Sequence, residues 1–203
     1  MTETRLPMTR KKRLDIIRAS AAEFRDFGYA GARVDRIAER ANVSKRTLYK
    51  HFVSKDALFD AIMASVVLPM ARQDVPKLDS KKPIKPQMTS LAKAYMAIVS
   101  SDDYVGLARV IVSEFIRDPE RSQAAKIKAD VATGPIEDMI GQAMAAGLLR
   151  QHDPGYAAEQ LSGMLKAFFY WPKFLSGVPS LDDLQAEHII DDCLEMFLAH
   201  YKA

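Results

Sequence analysis

The chain has 203 residues, enough for one large or two small domains with a sizeable buried core. Hydrophobic residues make up 48% of the sequence and charged residues 27%, which is ordinary for a globular protein. No apolar run is long enough to span a bilayer, and no apolar leader begins the chain. The single cysteine, Cys193, excludes an internal disulfide framework, as is usual in a reducing compartment. From these features together we expect a cytoplasmic protein with no membrane partner.

The net charge of +3 conceals an asymmetry along the chain. Residues 1–55 contain 14 Lys and Arg against 6 Asp and Glu, whereas residues 56–203 contain 15 against 20. A basic N-terminal segment joined to an acidic remainder indicates that only the former meets a polyanion. A solvated basic surface is the alternative that the same counts allow.

Nearly every segment of the sequence has helical periodicity, which predicts an all-α protein of about nine helices. The first helix is predicted over about residues 10–27. Its buried face contains Leu14, Ile17, Ala21 and Phe24. Gly28 follows, where the freedom of glycine to take a positive φ favours the end of a helix.

Two short helices and one longer helix are predicted next. The residues expected inside are Val34, Ile37 and Ala38 in the second helix and Leu48 and Phe52 in the third. Ser44 and Ser54 are the predicted N-caps of the third and fourth helices, because a serine hydroxyl can accept a hydrogen bond from an otherwise unpaired backbone amide. The fourth helix is predicted to reach about Arg72.

Beyond the fourth helix, three prolines and four lysines between residues 74 and 86 predict a solvated loop. Further helices are expected where a cap residue or a proline suits the first turn. These starts are Asp102, Asp118-Pro119, Gly134-Pro135, Asp153-Pro154 and Ser180. The helix that begins at Asp153 should end near Trp171-Pro172, and the last helix should reach Tyr201.

The third predicted helix has the features that a helix needs in order to read the major groove of DNA. Ser44 begins it, and Lys45, Arg46 and Thr47 occupy its first turn, from which side chains reach base edges. Leu48 turns towards the supporting helices. The second and third helices are therefore interpreted as a helix-turn-helix unit, and the same unit used only for protein contact is the alternative.

Other side chains are positioned to fix such a helix on the phosphate backbone. Tyr49 and His51 can donate hydrogen bonds to phosphate oxygens, and Lys55, at the start of the fourth helix, can reach the backbone. The basic run over residues 10–13 either follows an adjacent groove or forms a solvated arm.

The segment from about Arg10 to Met63, about a quarter of the chain, resembles the DNA-binding domain of the TetR/AcrR family of bacterial transcriptional regulators. The matching motifs are Phe27-Gly28-Tyr29, Ile37-Ala38, Val43-Ser44-Lys45-x-Thr47-Leu48-Tyr49-x-His51-Phe52 and Ser54-Lys55-Asp56-x-Leu58-Phe59. The resemblance implies a three-helix head that binds double-stranded DNA.

The sequence departs from the family pattern at two positions. Ala32-Arg33 stands where relatives carry the Thr or Ser that caps the second helix, and the charge of Arg33 can replace the phosphate contact. Asn42 stands in the turn in place of Gly, and it tolerates a positive φ. The candidate DNA-binding residues are Arg33, Ser44, Lys45, Arg46, Thr47, Tyr49, Lys50, His51 and Lys55.

The resemblance also implies a division into two domains. A helix-turn-helix domain is expected over residues 1–53, and a helical effector-binding and dimerisation domain over 54–203, with the fourth helix at about 54–72 connecting them. Segments 107–120 and 146–150 are similar to those of AefR-like relatives. The implied partners are a double-stranded DNA operator, a second copy bound through the last two helices to form a homodimer, and a small-molecule effector.

The last two predicted helices are amphipathic, as a dimer interface requires. One is lined by Leu161, Leu165 and Phe168, and the other by Leu184, Ile190, Leu194, Phe197 and Tyr201. Two such helices from each protomer can form a four-helix bundle about a two-fold axis. The alternative is that both helices pack only within the protomer.

Aromatic and methionine side chains suit a bulky apolar effector. The candidate effector-binding residues are Tyr95, Tyr104, Phe115, Met139, Met164, Phe168 and Trp171, with Met96, Phe169 and Tyr170 as further candidates. Each of them also fits an ordinary core position.

We expect no enzyme, because the sequence has neither a Gly-rich phosphate loop nor a nucleophile with a recognisable base. His188 and Asp192 have the spacing of two metal ligands on one helix, but two ligands are not a site, so neither metal nor cofactor is expected. The prediction is a ligand-responsive transcriptional regulator, a repressor that releases a pseudo-palindromic operator when a small apolar molecule binds. The alternative is an effector-independent DNA-binding adaptor or structural protein.

Overall fold

The structure, a computed structural model, describes residues 8–71, 78–118, 120, 134–179 and 181–203, without the side chains of residues 8 and 65–71. These ranges contain ten helices and no strand, which confirms the predicted all-α class. In chain order the helices are α1 (Met8–Gly31), α2 (Val34–Arg40), α3 (Lys45–His51), α4 (Lys55–Ala71), α5 (Ile84–Val99), α6 (Asp102–Arg117), α7 (Gly134–Ala145), α8 (Pro154–Phe169), α9 (Trp171–Ser176) and α10 (Asp183–Tyr201). Within the described residues, no helix has the length and apolar character needed to cross a membrane.

Packing divides the described chain into two compact units. The head unit comprises residues 8–66, 106–118 and 120, and the body unit comprises the remaining described residues. Helices α4 and α6 therefore each carry residues of both units. The predicted functional boundary between residues 53 and 54 stays a prediction, since a division by packing need not coincide with a division by function.

Side-chain caps fix several helix starts where the sequence predicted them. Thr47 donates its backbone amide to Ser44 Oγ (3.1 Å), Ala57 to Ser54 Oγ (3.1 Å), and Tyr156 to Asp153 Oδ1 (2.9 Å). Each bond satisfies one of the amides that the first turn of a helix leaves unpaired.

Two other predicted caps are wrong. Ser101 rather than Asp102 caps α6, because Ser101 Oγ accepts from the amide of Tyr104 at 3.2 Å. Asp182 rather than Ser180 caps α10, since Asp182 Oδ1 accepts from the amide of Gln185 at 2.8 Å. In both places a neighbouring oxygen has the same chemistry, so spacing alone does not identify the cap. The predicted start at Asp118-Pro119 lies outside the described residues.

Two helix boundaries of the body unit also differ from prediction. The helix after Asp153 ends at Phe169, and Pro172 belongs to the first turn of the separate helix α9. The predicted loop extended to Pro86, but α5 begins at Ile84. Proline is tolerated there because the first-turn amides have no intrahelical partner.

The core of the head unit is aromatic. The ring of Phe24 lies 5.4 Å from that of Tyr29 and 6.3 Å from that of Phe59, between centroids. Ile37 and Leu48 are fully buried and bring α2 and α3 onto this core. Leu14, predicted to be buried, is instead 37% exposed, so the buried face of α1 begins at Ile16.

The body unit has one continuous core, formed by α5, α7, α8 and α10. Most of the residues that were predicted to line the apolar faces of the last two helices belong to this core. They are Leu161, Leu165, Ile190, Leu194, Phe197 and Tyr201. Tyr201 also donates its hydroxyl to Gln160 Oε1 at 2.6 Å. These apolar faces are therefore occupied within the protomer.

Gly28 takes the positive φ that the sequence predicted, with φ of 67° and ψ of 170° inside α1. No heavy atom lies within 4 Å of the position that a Cβ would take there. Gly28→Ala should therefore destabilise the protein through backbone strain alone, by about 1–3 kcal/mol. Gly31→Ala is the control, because Gly31 has no positive φ and its Cβ would meet only an ordinary 3.5 Å contact. Urea unfolding of both variants measures the difference, and equal stability would contradict the assignment of strain.

Candidate nucleic-acid interface and ligand cavity

Helix α3 is anchored on one side and open on the other. Leu48 is fully buried, and the hydroxyls of Ser44 and Thr47 lie 2.9 Å apart at the N-terminus of the helix. Lys45, Arg46, Tyr49 and Lys50 are exposed, and His51 is half-buried. The structure thus places the predicted base-reading and phosphate-binding residues of this helix on or beside one solvent-facing surface.

The turn before α3 has the predicted conformation. Asn42 has a φ of 51°, the only positive φ of a residue other than glycine in the described ranges. Val43 then donates its amide to Ala38 O at 3.0 Å, which closes the turn. Asparagine therefore serves here in place of glycine, because its penalty in the left-handed region is small.

The missing hydroxyl cap of α2 is replaced by a carboxylate from α1. Arg33, the N-cap residue, makes no side-chain cap, and its backbone amide instead donates to Glu23 Oε1 at 3.2 Å. The same oxygen accepts from Arg36 Nε at 2.5 Å. Arg40 Nε lies 3.3 Å from Glu23 Oε2, an ion-pair contact without hydrogen-bond geometry.

Glu23 is fully buried, and sequence reasoning did not identify it. A signal was present, since Glu23 lies beside Phe24 on the apolar face of α1 and so needs a buried partner. Its position ties the first helix to both ends of α2. The orientation of the helix-turn-helix unit thus depends on a buried charge.

Lys55, predicted to contact phosphate, is engaged inside the head unit. Its Nζ donates to Ala30 O at 3.1 Å and to Ala32 O at 3.0 Å, and it lies 4.6 Å from the centroid of the Tyr29 ring. Burial lowers the pKa of the Lys55 ammonium, and the nearby carboxylates oppose that effect. An ammonium has three donors, so one remains for a phosphate. The phosphate contact stays a prediction.

The other basic residues of the surface fall into two groups. Lys45 forms an ion pair with Asp35 of α2. The side chains of Arg33, Arg46 and Lys50 are exposed and make no ion pair or hydrogen bond with any described residue. These three cations are therefore the ones most readily available to an anion.

The basic run over residues 10–13 belongs to α1 and is exposed. Arg13 lies over the ring of Phe52, 4.9 Å from its centroid. The run is thus helical and solvent-exposed, and its contact with a DNA groove stays a prediction.

The body unit contains an open cavity of about 710 Å³, bounded by α5, α8, α9 and the start of α10. Most of its lining is apolar, including Met96, Phe168, Phe169 and Ile190. The volume lies within the usual range for small-molecule sites. The cavity therefore has the size and the surface of a site for an apolar ligand.

The two lysines that line this cavity are paired within the protein. Lys93 Nζ lies 2.7 Å from Glu187 Oε1. Lys173 Nζ donates to Ser100 O at 2.7 Å and lies 2.9 Å from Asp102 Oδ1, and this ammonium lowers the pKa of the Asp102 carboxyl. Neither lysine thus offers an uncompensated charge to a ligand.

The structure does not bring the predicted effector-binding residues together in one place. Phe168 lines the cavity, as do Met96 and Phe169 from the wider set. Met139 is buried in the body core, and Met164 packs against that core. These residues thus divide between a cavity wall and ordinary packing.

The remaining candidates lie in two further places. Phe115 belongs to the head unit, with its ring centroid 6.5 Å from that of Phe59. Tyr95, Tyr104 and Trp171 lie in the body unit near Tyr170, whose ring centroid is 6.0 Å from that of Tyr104 and 4.9 Å from that of Trp171. Phe115 therefore belongs to a different unit from the others, and a role for any of them in ligand binding stays a prediction.

His188 Nε2 and Asp192 Oδ2 are 3.5 Å apart, which is the geometry of a helix pair. Among the described residues, no group of three or more His, Cys, Asp or Glu side chains has an arrangement suited to a metal ion.

Replacement of the buried carboxylate should loosen the head. Glu23→Gln weakens the charge-assisted bonds to Arg33 and Arg36 and should lower the free energy of unfolding by about 1–3 kcal/mol. Glu39→Gln is the matched control, because Glu39 is an exposed carboxylate on α2 whose side chain pairs with no described residue, and its effect should stay within about 0.5 kcal/mol. Chemical denaturation of both variants checks this, and similar losses would show that Glu23 has no special role.

Comparisons with protein families match both parts of the chain. Residues 16–62 match the family described as bacterial regulatory proteins, tetR family, and residues 86–203 match the AefR-like transcriptional repressor, C-terminal domain. The first match contains α2 and α3, and the second covers more than half of the chain.

A characterised relative is similar over part of its length. The HTH-type transcriptional activator FasR of Mycolicibacterium smegmatis is 27% identical over 138 residues, which are 68% of this chain and 62% of FasR. The match thus spans less than two thirds of the FasR chain.

Solved structures are similar over nearly the whole chain. A TetR family transcriptional regulator from Pseudomonas syringae pv. tomato is 33% identical, with a TM-score of 0.80 over 95% of this chain and 97% of that one. The flavonoid-responsive regulator FrrA is 26% identical, with a TM-score of 0.76 over 94% and 97%. Taken with the solvent-facing side of α3, these similarities establish that the chain belongs to the TetR family and is a DNA-binding transcriptional regulator.

Proposed function

We propose that this regulator is a homodimeric repressor that holds a pseudo-palindromic operator and releases it when a small apolar molecule binds its body. In this proposal it acts in the cytoplasm and catalyses no reaction. The observation that carries the proposal is the exposed first turn of α3, where Arg46 has no described partner inside the protein.

The DNA-binding part of the proposal is supported by the different surroundings of the basic residues on the head. Arg46 lies in the first turn of α3, from which a guanidinium can bond two acceptors of a guanine. Lys50 and Arg33 are exposed cations on the same helix and at the start of α2, and they suit phosphates. Lys45 is paired with Asp35, so its approach to a base is restricted in direction.

The dimeric part of the proposal is supported by apolar side chains that are exposed to solvent in the protomer. Tyr156 and Phe168 on α8 are 54% and 52% exposed, and Leu184 and Met196 on α10 are 81% and 66% exposed. Regulators of this family act as dimers, and a bundle of these two helices with their symmetry mates would cover such residues. Two recognition helices would then meet major grooves about 34 Å, one turn of DNA, or a multiple of it apart.

The effector-binding part of the proposal is supported by the 710 Å³ cavity of the body unit and by the names of related proteins. One neighbour is called flavonoid-responsive, and the family matched by residues 86–203 is described as a transcriptional repressor. FasR is called an activator, so the sign of regulation is a choice made in this proposal. The effector needs only a different affinity for the two states of the dimer, and we propose that α4, with residues of both units, transmits the difference.

Two substitutions separate base reading from phosphate binding. Arg46→Ala should relax base preference at one operator position and cost about 1–3 kcal/mol on the preferred sequence. Tyr49→Phe removes a hydrogen-bond donor to phosphate, so it should weaken binding by the same factor whatever the sequence of the duplex. Affinity measured on the operator and on its point variants distinguishes the two patterns. Identical behaviour of the two variants would refute this assignment of roles.

Selection of bound sequences from random duplex DNA tests the whole proposal. A symmetric half-site repeat is the expected result, and a panel of apolar compounds should contain members that lower the affinity for the selected sequence. The protein without ligand, in the same buffer, is the control. Operator affinity unchanged by every compound that binds the body would favour the effector-independent adaptor instead.

A further inference from the structure

One buried hydroxyl and one half-buried ammonium of the body unit have no acceptor among the described residues. The hydroxyl of Tyr95 has no hydrogen-bond partner in the described structure, and the residue is only 2% exposed. Lys166 of α8 is half-buried, and its ammonium makes no hydrogen bond or ion pair with any described residue. Buried polar groups are normally paired, so the unpaired hydroxyl of Tyr95 needs an explanation.

The two groups lie beside each other. Lys166 Nζ is 5.7 Å from the centroid of the Tyr95 ring. Burial lowers the pKa of the Lys166 ammonium, and Glu159, a carboxylate on the same helix, opposes this only in part. The unpaired hydroxyl thus belongs to a ring that neighbours an unpaired ammonium.

The surroundings of the pair are aromatic. Burial, followed by the neighbouring hydroxyls of Tyr104 and Tyr170, raises the pKa of the Tyr95 phenol. The phenol is thus a neutral donor at physiological pH, and the ammonium beside it supplies the positive charge. The set has two donors, one positive charge and apolar rings.

We propose that Lys166 and Tyr95 bind the carboxylate of an apolar organic acid, and that this acid is the effector. The proposal rests on the effector response proposed above and specifies the chemical class of the ligand. A carboxylate has two oxygens, one to accept from the ammonium and one from the phenol. The tyrosine rings suit an aromatic or aliphatic remainder of the molecule.

The open cavity does not have this chemistry. Its lysines, Lys93 and Lys173, already face carboxylates of the protein, so it offers an acid no unpaired cation. A neutral apolar molecule suits the cavity, whereas an acid suits the pair formed by Lys166 and Tyr95.

Matched acids and amides test the proposal. The probes are phenylacetate, phenylpropionate and phenylbutyrate with their primary amides, which are nearly the same in shape but uncharged. Trp171 is the only tryptophan of the chain, and its ring lies 4.9 Å from that of Tyr170, so its fluorescence should report binding. At least one acid should bind about tenfold or more tightly than its amide, the factor expected of a charge-assisted hydrogen bond.

Three variants locate the binding. Lys166→Gln should abolish the preference for the acid, and Tyr95→Phe should weaken acid binding several-fold while leaving the ligand-free protein at least as stable, because it removes an unpaired hydroxyl. Lys93→Gln, which alters a cavity lysine, should leave the preference unchanged. Equal binding of acid and amide, no binding of any acid, or a preference lost in Lys93→Gln and kept in Lys166→Gln would each overturn the proposal.

Operator binding, measured in parallel on the selected sequence, distinguishes the proposed acid effector from the proposed effector response in general. Release by the tight-binding acid, lost in Lys166→Gln, supports both. Release only by neutral apolar compounds overturns the acid while the effector-responsive function stands. If no compound that binds the body causes release of the operator, both proposals are refuted.

Discussion

The buried carboxylate of Glu23 is the interaction on which the recognition surface depends. It stands where a cap hydroxyl is missing, and it joins α1 to the amide that begins α2 and to two arginines further along that helix. A carboxylate with no exposure is costly unless it is paired, so this arrangement holds only when α1 and α2 are correctly placed. The position of α3 then follows, because Leu48 packs on the same head core and Asn42 closes the turn between the helices.

Much of the head was predictable because its determinants are local. The positive φ of Gly28 and Asn42 and the cap of Ser44 are each set by a few neighbouring residues, and all three were found. The role of Glu23 and the internal bonds of Lys55 were not predicted, since their partners lie ten or more positions away and a charged residue in sequence suggests solvent first. Long-range pairing is information that periodicity and spacing do not contain.

The body was predictable only as far as its helices. The apolar faces of α8 and α10 were recognised, but the same pattern serves a protomer core or a dimer interface, and the structure assigns most of it to the core. Residue type alone predicts the effector candidates, so they include Phe115, which packs in the head. Lys166 is not predictable from sequence for the opposite reason, because a lysine is ordinarily assigned to the surface and only the fold shows that this one is half-buried without an ion pair to a described residue.

The contrast between engaged and unengaged cations also bears on how such regulators diverge. Lys55 and Arg36 hold parts of the head together, so replacing either alters the scaffold as well as any contact with nucleic acid. Arg46 makes no bond with the described remainder of the protein. Substitution there should leave the architecture intact, so under the proposed function a change of target site through that one residue needs no compensating gain of stability elsewhere.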